Sequence, residues 1–211
     1  MSDDFKIKIA QSLLQINAIQ LEPSNPFIWA SGLKSPIYCD NRKILSYPKV
    51  RTLVRDAFIQ KIKESFSDVD YIAGVATGAI AHGALVAEEL GLPFLYVRSE
   101  VKGHGMQNLI EGDAVPGKKV VVIEDLVSTG GSSVKAVEAL RHHGLKVQGL
   151  IAIFTYGFQK AYDVFKEANC DWSVLTDYQT MIDIAIEEEL LAPADMSVLE
   201  DWQDDPQNWS N

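Results

Sequence analysis

From residue 70 onward the chain alternates between two patterns of apolar positions. Short, mainly apolar segments at 71–76, 93–97, 119–124, 145–155 and 172–175, with unbroken apolar runs at Val120–Ile123 and Leu150–Phe154, are the length of buried strands. Between them, apolar residues recur every three or four positions at 79–90, 132–143, 159–168 and 178–190, the spacing of helices packed on one face. Strand and helix in strict alternation predict a parallel central sheet flanked by helices, an α/β fold. Upstream, 5–20 and 48–66 carry helical spacing. Residues 23–47 are broken by Pro23, Pro26, Gly32 and Pro36 and read as a small N-terminal hood of loops and short strands. The expected organisation is therefore an N-terminal helix and hood over 1–47, an α/β core over 48–190, and an acidic C-terminal tail over 191–211. Two prolines, Pro193 and Pro206, and the density of charge make that tail read as partly disordered.

A chain of 211 residues suits one compact domain. No apolar run approaches the length of a membrane span, and the charged start MSDDFKIKIAQSLLQ is unlike a signal peptide, so a soluble cytoplasmic protein is expected. Cys39 and Cys170 stand far apart and form no metal-binding pair. The formal net charge of −10 is concentrated at one end: the eight acids between residues 187 and 211 face no Lys or Arg there, and without them the rest of the chain stands at −2. That distribution speaks against a nucleic-acid binder, which needs a basic face. It leaves room for an anionic substrate held by a local cluster of cations.

In an open α/β sheet, ligands sit beyond the C-terminal ends of the strands. The turn after the fourth apolar run is the richest in chemistry: Glu124-Asp125-Leu126-Val127-Ser128-Thr129-Gly130-Gly131-Ser132. Two carboxylates stand where the strand is expected to end, followed by hydroxyls and glycines that open a helix. Glycines let the backbone approach a ligand, and the free N–H groups of a helix N-terminus bind anions. Carboxylates repel phosphate but accept hydrogen bonds from sugar hydroxyls. The segment thus reads as a ribose-phosphate cradle. A dinucleotide fold is excluded because no G-x-G-x-x-G follows a strand, and no Gly-Lys-Ser/Thr closes the turn as in a Walker loop.

This segment resembles the signature of the type I phosphoribosyltransferases, which bind 5-phosphoribosyl 1-diphosphate. The resemblance implies that Glu124 and Asp125 hold the ribose hydroxyls and that Ser128, Thr129, Gly130, Gly131 and Ser132 wrap the 5′-phosphate, with Leu126 and Val127 between. Two further stretches narrow the likeness to the orotate phosphoribosyltransferases. Arg98-Ser99-Glu100-Val101-Lys102-Gly103-His104-Gly105 is similar to their catalytic loop, Arg-x-x-x-Lys-x-His-Gly. Arg98, Lys102 and His104 are suited to neutralise the departing pyrophosphate. Phe27 to Arg42 contains the Ser-Gly-x-x-Ser-Pro core of their hood, with Lys34, Tyr38 and Arg42 as candidates for contact with the base; Ser128 joins them on family analogy. Lys102, His104 and Asp125 are the expected catalytic residues.

What the resemblance implies is transfer of ribose 5-phosphate to orotate with Mg2+ as cofactor, in a homodimer whose loop reaches the neighbouring subunit's site. The chain departs from the family pattern at four positions where a cation is common: Ala30, Thr77, Ser99 and Tyr156. Lys34 and Arg42 are candidate substitutes. Two alternatives stand beside this reading. A purine-base phosphoribosyltransferase is opposed by the hood and the cationic loop. A nucleic-acid-binding regulator is opposed by the absence of a basic surface or an added DNA-binding module.

Overall fold

The computed structural model describes residues 3–29, 32–99 and 109–209. The chain opens with helix α1 (Asp3–Gln15), then β1 (Ile19–Leu21), β2 (Phe27–Ile28), β3 (Lys34–Ser35), β4 (Ile37–Cys39) and a 3-10 turn (Asn41–Ser46). Helix α2 (Pro48–Ser65) begins on a proline, which needs no hydrogen-bond acceptor in a first turn. Alternation follows: β5 (Tyr71–Val75), α3 (Ala79–Leu90), β6 (Phe94–Val97), β7 (Ile110–Glu111), β8 (Lys119–Val127), α4 (Gly131–His142), β9 (Lys146–Thr155), α5 (Gln159–Glu167), β10 (Trp172–Asp177), α6 (Tyr178–Glu187) and α7 (Asp195–Asp204).

Six strands form the central sheet in the order β10-β9-β8-β5-β6-β7. All neighbours are parallel except β7, which pairs antiparallel with β6. The expected parallel sheet is therefore found, with one correction. Residues 98–117 read as a single polar loop, yet Ile110 and Glu111 return to pair with Val97 and Tyr96 at the sheet edge. Two residues are too few to leave a period in the sequence.

Both faces of the sheet are covered. Val121, Ile123, Ile151 and Ile153 pack with α1, α2, α3 and α6 on one face, while Val120, Val122, Leu150 and Ala152 pack with α4 and α5 on the other. This is the side-to-side alternation of a strand buried on both faces. Helix α1 belongs to this core layer, against α6, α2 and β10. The hood proper is two small antiparallel pairs, β1 with β4 and β2 with β3.

The expectation of a partly disordered tail is corrected. Residues 195–204 form α7, and Leu199 and Trp202 are 0% and 1% exposed. The Tyr178 hydroxyl, on α6, donates to the Leu199 carbonyl at 3.0 Å. Acidic side chains line the outer side of this helix while two large apolar ones dock, which offsets the entropy of ordering the segment.

Candidate active site

Strand β8 overhangs its neighbour. It pairs with β5 only as far as Ile123 opposite Gly74, but with β9 as far as Val127 opposite Thr155. The strand thus continues past the residue where the sequence suggested it would end, and Glu124 and Asp125 sit on it. One edge of that overhang is left without a sheet partner, which is where a ligand can approach.

The two acids, adjacent in sequence, point to opposite faces. Glu124 is 4% exposed and turned toward α4. Its Oε2 accepts from the Ser133 hydroxyl at 2.9 Å and its Oε1 from the Asp125 N–H at 2.9 Å. Burial, reinforced by the neighbouring Asp125 charge, pushes its carboxyl well above the usual range. Asp125 faces the hood instead. It lies directly over Gly78, at the start of α3, so closely that a Cβ at residue 78 would overlap its carboxylate. The hood is pinned to the same spot, because Asn41 Nδ2 donates to the Asp125 carbonyl at 2.6 Å.

Around Asp125 lies a cavity of about 240 Å³ lined by Cys39, Asp40, Asn41, Arg42, Thr77, Gly78 and Leu126. Arg42 Nε pairs with Asp40 Oδ1 at 2.6 Å, and its head remains largely in solvent. That hydrogen bond holds Asp40 below the ordinary carboxylate range. Burial raises the Cys39 thiol, and the Asp125 and Asp40 charges raise it further, so it stays protonated. Burial also pushes the His82 imidazole, on α3, below its ordinary value against the opposing pull of Asp125. Asp125 therefore lies within electrostatic reach of the buried His82 ring and the Arg42 guanidinium. Its carboxylate is open to a ligand's hydroxyls.

The phosphate turn follows at once. Gly130 has φ of +79°, a left-handed conformation that favours glycine, and it packs against Phe165. No side chain caps α4, and Thr129 and Ser132 are exposed with their hydroxyls beside its first turn. A helix start of this kind presents N–H groups and a positive dipole end to an anion.

The remaining candidates divide. Arg98 stands at the end of β6, its N–H bonded to the Leu109 carbonyl at 2.8 Å and its guanidinium 3.5 Å from Glu111. Lys102 and His104 lie outside the described residues. Tyr38 is on the outward side of β4, its ring 5.6 Å from Phe27, whereas Cys39 is the β4 residue that lines the Asp125 cavity. Lys34 is on the exposed side of β3 and is not among the residues lining that cavity. Thr77, reached through a cis Ala76–Thr77 peptide, is at the cavity wall. Tyr156 is buried in an aromatic cluster with Trp29, Phe154, Phe158 and Trp202. Sequence reasoning missed Asn41 and Ser133. Their burial at 2% and 1%, and their contacts with Asp125 and Glu124, are visible only in three dimensions.

The phosphoribosyl transferase domain family matches residues 40–192, which contain every element of this site except the outer hood. Over 200 residues the chain is 57% identical to an orotate phosphoribosyltransferase of Phocaeicola vulgatus, covering 95% of this chain and 94% of that one. It is 52% identical over 201 residues to an orotate phosphoribosyltransferase of Porphyromonas gingivalis, covering 95% and 96%. The chain belongs to the orotate phosphoribosyltransferase family. Among solved structures, that of an orotate phosphoribosyltransferase from Aeropyrum pernix superposes with a TM-score of 0.75 at 27% identity, over 87% of this chain and 99% of that one. The overhanging end of β8 carries Glu124 and Asp125 and leads through Ser128–Gly130 into the start of α4.

Proposed function

We infer that the chain transfers the 5-phosphoribosyl group from 5-phosphoribosyl 1-diphosphate to orotate, giving orotidine 5′-monophosphate and pyrophosphate in pyrimidine biosynthesis. The observation that carries this is Asp125, presented over Gly78 at the mouth of the cavity and followed directly by the uncapped turn of α4. In the reaction the bond from the anomeric carbon to the pyrophosphate oxygen breaks, and its electron pair leaves with pyrophosphate. The orotate ring nitrogen bonds to the same carbon. Positive charge gathers on the ribose as the leaving group departs, and a nearby carboxylate stabilises it. Asp125 is placed for that work. Glu124, with both oxygens engaged, acts by fixing the Asp125 backbone and the start of α4. The ring nitrogen gives up its proton to solvent as the new C–N bond forms, and no side chain is nominated as the base.

Mg2+ is part of this proposal. Among the described residues no cluster of three His, Cys, Asp or Glu forms a ready metal cage. The donors available are Asp125 and Asp40 at the cavity. This suits Mg2+, which keeps most of its ligands as water and substrate oxygens and takes one or two carboxylates from protein. When bound it would offset the charge of the pyrophosphate. Lys102 and His104 share that role on the strength of the loop motif, acting across a homodimer. A cytoplasmic location fits a chain in which no described helix is long and apolar enough to cross a membrane.

The deciding assay follows the loss of orotate absorbance with 5-phosphoribosyl 1-diphosphate and Mg2+ present, and with each omitted. Consumption is expected only in the complete mixture. Orotate left unchanged there, with adenine or another purine base consumed instead, would overturn the acceptor assignment.

A further inference from the structure

The turn after β9 is held from two sides. From within, the Thr155 hydroxyl donates to the Val127 carbonyl at 2.8 Å and accepts from the Gly157 N–H at 3.1 Å, which ties the turn to the end of β8 where the phosphate turn begins. From without, Gln203, in the last turn of α7, donates through Nε2 to the Tyr156 carbonyl at 2.7 Å. Gly157 has φ of +75°, and a Cβ there would stand 2.9 Å from the same Nε2. The amide of Gln203 therefore lies flush against the turn.

The residue before it strengthens the clasp. The Trp202 ring lies 5.8 Å from Trp29 of the hood, 5.6 Å from Tyr156 and 5.4 Å from Phe158. Helix α7 thus grips the hood and the β9 turn together. Between them and the phosphate turn is a second cavity of about 280 Å³. Trp29 and Phe158 give it flat apolar walls, and Ser128 and Thr129 join it to the phosphate turn. Residues 203–207 close its outer side. Flat walls with a polar rim, next to the ribose-phosphate cradle, suit a planar heterocycle with hydrogen-bonding edges.

We propose that the C-terminal segment 203–207 is the outer wall of the acceptor-base subsite, and that Gln203 is a positioning residue whose hold on the Tyr156–Gly157 turn sets the affinity for the base. This rests on the phosphoribosyl-transfer reading. It gives the acidic C-terminus a part in the site, with Asp204 and Asp205 in the outer wall and Lys160 also lining the cavity.

The test uses the full chain with Gln203→Ala and Gln203→Met; the methionine refills the volume without the donor. Steady-state constants are measured for orotate and for 5-phosphoribosyl 1-diphosphate, with calorimetric binding of the latter and thermal midpoints alongside. Loss of one well-formed hydrogen bond that orders a site is expected to raise KM for orotate about tenfold in both variants. KM for 5-phosphoribosyl 1-diphosphate should change less than about twofold, since its cradle is fixed independently by Ser133 and Asn41. A merely structural role for Gln203 would lower the thermal midpoint and move both constants together, and that result overturns the proposal. So does an unchanged orotate KM in both variants. Should the wild-type protein bind 5-phosphoribosyl 1-diphosphate but leave orotate unconsumed, the functional reading fails, and the base subsite falls with it.

Discussion

Gly78→Ala is the sharpest test of the ribose site, because the backbone and the site make opposite demands. Gly78 has φ −62° and ψ −36°, an ordinary right-handed conformation at the N-cap of α3. Alanine adopts it without strain, and the loss of unfolded-chain freedom tends to stabilise by about 0.4–1 kcal/mol. The obstacle is one side chain: the new methyl would overlap Asp125 Oδ2 and Cγ and stand 2.8 Å from Oδ1. To restore van der Waals contact the carboxylate has to swing by about 1 Å or more, and misplacement on that scale in a catalytic site costs about 100-fold in rate. This is about 2.7 kcal/mol of transition-state stabilisation. We therefore expect kcat/KM for 5-phosphoribosyl 1-diphosphate to fall about 100-fold with the thermal midpoint little changed. Asp125→Asn should give a comparable or larger loss in a folded protein. Because both changes act through one carboxylate, the double variant should lose far less than the product of the two single effects. The assay is orotate consumption by the three variants, with a melting curve for each. A Gly78→Ala enzyme within threefold of wild type, or fully additive losses in the double variant, would refute the assignment of Asp125 as the ribose carboxylate held in place by this contact.

The other predictions concern charge, assembly and the C-terminal helix. Glu124 is an acid whose folded pKa is raised, so the stability it contributes is fully present below its unfolded value near 4.5 and is lost as pH rises toward the folded value. Glu124→Gln keeps an acceptor for the Asp125 N–H without this proton release. Its thermal midpoint relative to wild type should therefore climb as pH is raised from 5 to 8, and a flat difference would contradict the upward shift of the buried carboxyl. In the proposed homodimer, Lys102→Ala and Asp125→Asn proteins, each inactive alone, should recover up to about half the wild-type sites per heterodimer when mixed under subunit exchange, because one site then carries neither defect. No recovery with heterodimers verified by mass would leave the loop acting within its own subunit. Trp202→Ala should destabilise the whole domain by about 3–5 kcal/mol in denaturant melts; a loss below about 1 kcal/mol would mean that α7 is not docked in solution.

The sequence alone determined the sheet. Strands buried on both faces leave continuous apolar runs, and helices lying on them leave a three-to-four repeat, so most elements from Tyr71 to Glu187 were legible within a few residues. The strand–turn–helix junction from Glu124 to Ser132 was legible for a similar reason: its carboxylates, hydroxyls and glycines are contiguous, and the left-handed turn that calls for Gly130 is local. Where contacts join distant segments, nothing periodic marks them. Glu124 and Asp125 look equivalent in sequence. Only the packing of α4 on one side and the hood on the other buries Glu124 against Ser133 and turns Asp125 toward the cavity. The value of Gly78 depends on a carboxylate 47 positions away. Leu199 and Trp202 were hidden by the acids around them, because two apolar residues in a short charged segment make no stripe. Their worth comes from a socket built by Tyr156, Phe158, Tyr178 and Trp29, which exists only once the sheet, the hood and α6 have assembled.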